Sequence, residues 1–388
     1  MDFLKRSLYR GLAGLAFAIA GASHACDFAE VRFVTDFDTA RLDGCEQVAA
    51  DKYRLHLRPE NLPINPSPWY AFRMEAGEGL MADTTIEIVL VSHNGPARYT
   101  PKVSLDKKRW APLPYSTNDN RMRFNVQLQP ERAVYVAGQE IIDGTVYADW
   151  LASLPATGRV FELGASTEQR ALLAYEHRVD QNAPWLVLIG RQHPPEVTGA
   201  LAMLSFTNTL MFADTPEFVK FRDRFNILVV PNMNPDGVAR GNWRHTSNGV
   251  DLNRDWRARK EPESKLLHDY LTALEKAGSE VVFALDFHST HNNIYYTMPP
   301  EYEPENGEAL QNPMLVRNWL NDLAAAVPWE VREKPGHNPS SGVFKQYVAD
   351  NFAVHAVTYE VGDTTDRREI VQTADAAALS LVTRLLAL

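Results

Sequence analysis

The sequence predicts two domains in series. An all-β antiparallel sandwich over residues 26–140 precedes an α/β domain over residues 141–388, a mixed sheet with helices on both faces. Three observations lead there. Up to about residue 140, apolar and polar residues alternate with a period of two, the mark of strands with one buried face. Beyond it, unbroken apolar runs alternate with segments of helical period, the mark of a layered α/β domain. The length, 388 residues, suits two or three domains.

The first 25 residues read as an export signal. Lys5, Arg6 and Arg10 form a basic start, and Gly11 to Ala22 an apolar stretch of about twelve residues, too short to span a bilayer. Ser23-His-Ala25 places small residues before a cleavage point. The mature chain is therefore expected outside the cytoplasm, periplasmic or secreted, with no membrane span. Its two cysteines, Cys26 and Cys45, are an even pair in an exported chain and are expected to form a disulfide. Lipid attachment at Cys26 is the competing outcome, disfavoured by Ser23 where a leucine-like residue is needed.

In the first domain, Tyr70, Phe72 and Met74 alternate with Ala71, Arg73 and Glu75. Ile86, Ile88 and Leu90 form a second such run, and Met122, Phe124, Val126 and Leu128 a third. Turn clusters at Ser92-His-Asn-Gly-Pro96 and Ser116-Thr-Asn-Asp-Asn120 separate them, as in a sandwich. No cluster in this half proposes chemistry. In the second domain, buried strands are expected at Trp185–Ile189, Phe225–Pro231, Val281–Leu285 and Val354–Tyr359. Helices are expected over Glu196–Met211, Pro262–Ala277 and Ile370–Leu388. The middle one carries Leu266, Leu267, Tyr270, Leu271 and Leu274 on one face.

The net charge of −10 argues against a nucleic-acid partner, which calls for a basic surface. The chemistry-bearing residues sit at strand ends: His193 and Glu196 after the first buried strand, His288 after the third, Glu360 after the fourth. Ligands of open α/β sheets bind beyond the carboxyl ends of strands. Two imidazoles and a carboxylate there are the usual ligand set of a catalytic zinc, and a further carboxylate beside them suits a base.

Five segments in order extend the pattern: His193-Pro-Pro-Glu196, Asn234-Pro-Asp-Gly237 with Arg240-Gly-Asn-Trp-Arg244, Asp251-Leu-Asn-Arg-Asp-Trp256, Asp286-Phe-His288 and Thr358-Tyr-Glu-Val-Gly362. Together they resemble the zinc metallocarboxypeptidases of the carboxypeptidase A clan (M14). Val34-Thr-Asp-Phe-Asp38 and Trp69-Tyr-Ala-Phe-Arg73 resemble the sandwich that precedes the catalytic domain in the cytosolic carboxypeptidase subfamily. The resemblance implies one zinc per chain, held by His193, Glu196 and His288, with Asp251 orienting a ligand imidazole. It implies Glu360 as general base, Arg244 polarising the scissile carbonyl, and Asn253 with Arg254 holding the substrate's terminal carboxylate. Where the family carries a substrate-contacting tyrosine, this chain has Asn338; Tyr347 lies nearby in sequence, and whether it replaces that tyrosine is left open. Lys345 falls at the family's specificity position, where it would select an acidic side chain.

The expected activity is zinc-dependent removal of the last residue from a peptide with a free C-terminus. Trimming of peptidoglycan stem peptides and hydrolysis of small N-acyl amino acids are the alternatives.

Overall fold

The computed structural model describes residues 26–304 and 307–388; the expected export signal lies outside the described residues. Among these, strands form three sheets of six, five and eight members. The first two are the sandwich. Strand Arg121–Leu128 shows why: Met122, Phe124, Val126 and Leu128 are buried, and the residues between them are exposed. Inward-facing side chains of both sheets, among them Phe33, Tyr53, Phe72, Ile88 and Phe124, make one core. The pairing is antiparallel as expected, with one exception: Lys52–Leu57 lies parallel to Thr84–Ser92. Between them the chain crosses to the opposite sheet as strand Ala71–Ala76 and returns, so it re-enters in the same direction. Cys26 and Cys45 are disulfide-bonded, joining an edge of one sheet to an edge of the other.

The eight-stranded sheet carries the second domain. Its centre is parallel: Asn226–Val230, Trp185–Gly190, Val281–Thr290 and Ala356–Gly362 lie side by side in that order. Antiparallel strands flank this centre, so the sheet is mixed. Each central strand is buried on both faces. Leu186 and Leu188 face a core shared with helices Val197–Phe212, Leu315–Ala326 and Arg367–Leu386. Trp185, Val187 and Ile189 face the other way, toward helices Pro262–Lys276 and Phe344–Phe352. This double burial is why the strands read as continuous apolar runs. No helix among the described residues is long and apolar enough to cross a membrane.

The sandwich core continues into the second domain. Ile141, Ile142, Tyr147, Val197, Ala200 and Trp243 pack in the same cluster as the sandwich residues. Near residue 140 the secondary structure changes character while the apolar packing runs on.

Candidate metal centre

Register brings the strand ends together. Gly190 is level with Phe287, and His288 with Glu360, so His193, His288 and Glu360 meet at one edge of the sheet. The turn after Trp185–Gly190 is made by Arg191 in the left-handed region, φ 57°. That conformation costs a non-glycine residue of order 1 kcal/mol and needs support. The Arg191 guanidinium supplies it, buried and donating to Pro194 O at 2.7 Å, Ile142 O at 3.1 Å and Tyr147 Oη at 2.9 Å. Helix Val197–Phe212 starts hard against the His288 strand. A Cβ on Gly199 would lie 2.3 Å from His288 O, so only glycine fits there.

Possible ligand atoms of His193, Glu196 and His288 lie within 4.8 Å of one another, and all three residues are buried. Glu196 faces both rings: Oε1 is 2.7 Å from His193 Nδ1 and Oε2 is 2.6 Å from His288 Nδ1. The opposite ring nitrogens meet carboxylates, His193 Nε2 at 3.0 Å from Asp251 Oδ1 and His288 Nε2 at 2.8 Å from Asp286 Oδ2. Both imidazoles thus turn Nδ1 to the shared centre and anchor Nε2 behind it, the arrangement that fixes a metal-binding histidine's tautomer. Burial opposes charge on Glu196, yet the two imidazoles hold its carboxyl well below the usual range. Two nitrogens and one oxygen, anionic in sum, fit a zinc ion and leave a coordination position open.

Glu360 lines the same cavity, of about 480 Å³. Its Oε2 has no hydrogen-bond partner among the described residues. Burial, with the carboxylates of Glu196 and Asp286, outweighs the two imidazoles and pushes its carboxyl up to about 7. Arg244 lines the wall, its Nε donating to Asp251 Oδ2 at 2.7 Å, so Asp251 meets both the His193 imidazole and a guanidinium. Asn253 and exposed Arg254 also line the cavity. The Asn253 amide accepts from Phe344 N–H at 2.9 Å with Nδ2 3.2 Å from His288 Nε2, and Arg254 Nη1 donates to Asn253 O at 2.6 Å. Lys345 reaches the cavity too. Its Nζ donates to Thr297 O at 3.2 Å and to Gly336 O, and burial lowers its pKa to about 8.

Tyr347 does not replace the missing tyrosine. It lies two positions beyond Lys345 on helix Phe344–Phe352, about 200° around the axis, so the two residues face opposite sides. Its hydroxyl is 2.9 Å from His268 Nδ1 and its ring packs on Trp256, away from the cavity. Among the described residues the tyrosine that lines the cavity is Tyr296, on strand Ile294–Thr297 beside the Glu360 strand. The sequence reading missed it, along with Asp286, whose signal was available: residues two apart on a strand share a face, so Asp286 points the same way as His288. It also missed Asn65 and Arg98, sandwich residues that form part of the cavity wall. Arg98 donates to Asp363 Oδ2 at 2.7 Å, three residues beyond Glu360.

Comparison with known proteins agrees with this geometry. Residues 146–378 match the zinc carboxypeptidase family, and residues 33–138 match the cytosolic carboxypeptidase N-terminal domain. Cytosolic carboxypeptidase 2 of Xenopus tropicalis is 32% identical over 114 residues, 28% of this chain but only 12% of that protein. An uncharacterised protein of Zymomonas mobilis is 26% identical over 65% of this chain and 66% of its own length. Among solved structures, a metallo-carboxypeptidase from Burkholderia cenocepacia superposes with a TM-score of 0.77 at 20% identity, covering 92% of this chain and 99% of that one. One from Pseudomonas aeruginosa, in complex with (2-guanidinoethylmercapto)succinic acid, gives 0.70 at 22% identity, covering 91% and 99%. With the family matched across most of the second domain and its companion across the sandwich, this chain belongs to the zinc carboxypeptidase family.

Proposed function

We propose that the protein is a zinc carboxypeptidase that removes the C-terminal residue of peptides. The observation that carries this reading is a single cavity holding the His193–Glu196–His288 group, the unpartnered Glu360 oxygen and the guanidinium groups of Arg244 and Arg254. Zinc bound by His193, Glu196 and His288 would lower the pKa of its water toward ~7 and polarise the scissile carbonyl. Glu360 takes the proton of the attacking water and returns it to the leaving amine. Arg244, fixed by Asp251, stabilises the oxyanion that develops on the carbonyl. Arg254, with Asn253, receives the terminal carboxylate. Lys345 lies in the same cavity with no carboxylate partner among the described residues and favours an acidic C-terminal side chain. The Cys26–Cys45 disulfide supports work in an oxidising compartment, in keeping with the export signal expected over residues 1–25.

The test is kcat/KM for one peptide as free acid and as C-terminal amide. Charge-assisted hydrogen bonds to the terminal carboxylate are worth about 1.5–3 kcal/mol, so the amide is expected to be slower by roughly ten- to a hundred-fold. Arg254→Ala is expected to impair the acid strongly and the amide little. Equal rates on acid and amide would overturn the reading.

A further inference from the structure

We infer that Glu60, a residue of the sandwich, is a positioning residue for Arg244. The inference rests on the role proposed above for Arg244. That residue sits in an irregular segment after helix Pro235–Arg240, where no helix or strand satisfies the backbone. Three successive N–H groups of the segment converge on one carboxylate from the other domain. Trp243 N–H donates to Glu60 Oε2 at 2.8 Å, and Arg244 and His245 N–H donate to Glu60 Oε1 at 2.9 and 2.7 Å. Successive amides turned to one side make an anion-binding concavity, and here the protein supplies its own anion. Trp243, Arg244 and His245 are buried, so without Glu60 these donors would lose their partner out of reach of bulk water.

Neighbouring contacts reinforce the joint. Asn61 Oδ1 is 2.7 Å from His245 Nδ1, and Asn61 Nδ2 donates to Gly249 O at 3.1 Å. The far side of the segment continues to the metal centre, from Arg244 Nε to Asp251 Oδ2 at 2.7 Å and from Asp251 Oδ1 to His193 Nε2 at 3.0 Å. Glu60 therefore acts at one remove from substrate: it sets where the guanidinium stands, and Asp251 sets how it points.

Glu60→Gln keeps the shape but turns an amide donor toward these N–H groups, so at least one bond is lost. In the zinc-loaded full chain, kcat is expected to fall by about ten- to a hundred-fold with KM nearly unchanged, since small misplacement of a transition-state group costs that much. Two further readouts separate positioning from general support of the fold. Amide hydrogen exchange at Trp243, Arg244 and His245 should accelerate in the variant, while strand Val281–Thr290 keeps its protection. Glu60→Gln combined with Arg244→Ala should be no slower than Arg244→Ala alone, because a group that acts only through Arg244 has nothing left to position. Losses that multiply in the double variant, or unchanged kcat and exchange in Glu60→Gln, would overturn the inference. If Arg244→Ala itself retains full kcat, the proposed role of Arg244 fails and this inference with it. If Arg244→Ala is slow and Glu60→Gln is not, only the inference fails.

Discussion

Strands Arg121–Leu128 and Trp185–Gly190 divide the molecule's labour. The first buries alternate residues, with four side chains in the sandwich core and four in solvent. The second is buried along its whole length, with helices on both faces. A strand with a wet face needs no special exit, and the sandwich strands end in ordinary turns. A strand buried on both faces brings polar side chains to a cavity near its carboxyl end, and at or just beyond such ends His193, Glu196, His288 and Glu360 stand. The sandwich is not inert for that reason. Its described residues add no atom to the His193–Glu196–His288 group, yet it sends Asn65 and Arg98 into the wall of the other domain's cavity and Glu60 to the backbone of the Arg244 segment. One domain concentrates the chemistry, and the other supplies part of its wall and holds one of its loops.

That contrast can be broken at the chemical end first. Glu360→Gln is expected to fold and retain zinc while kcat falls by about a thousand-fold, within the usual contribution of a general base. Kinetics together with metal analysis checks it; near-native turnover would remove Glu360 from the role. The sharp effect should be confined to turnover, with thermal stability little changed.

A smaller effect is expected at Lys345. Lys345→Ala should reduce kcat/KM by about ten-fold for peptides ending in an acidic residue and little for neutral ones. The pH dependence has a definite sign. Burial lowers this lysine's pKa to about 8, so it is cationic below that value and neutral above it. The preference for acidic over neutral substrates should therefore be full below pH 7 and fade as pH rises through about 8. Because kcat/KM reports the free enzyme, the midpoint should not follow the substrate's affinity. A preference independent of pH from 6 to 9 would separate Lys345 from specificity.

The smallest effect on catalysis is expected within the sandwich. Cys45→Ser should leave kcat/KM unchanged while lowering stability by roughly 3 kcal/mol in the chain-entropy model. Urea denaturation followed by tryptophan fluorescence measures the loss. A variant equally stable but catalytically slow would reverse the comparison, making the disulfide a support of the site.

Much of this architecture was legible in the residues themselves. Period-two alternation at Met122–Leu128 and the apolar run Trp185–Ile189 are local signals of one-sided and two-sided burial. The helices expected over Pro262–Ala277 and Ile370–Leu388 are found as Pro262–Lys276 and Arg367–Leu386. The histidines and glutamates of the centre were legible because a polar residue closing an apolar strand is visible in one dimension. Whether Tyr347 reaches the cavity was not legible, because closeness in sequence is not closeness in space and helix periodicity sends it away from Lys345. What only the tertiary structure decided lies between segments far apart in the chain. Strand register set His288 level with Glu360, and sandwich packing brought Glu60 to the amides of Arg244 and its neighbours. Backbone N–H groups are the same at every residue but proline, so their need for a partner carries no sequence signature. Which carboxylate meets them was settled only when the two domains packed into one core.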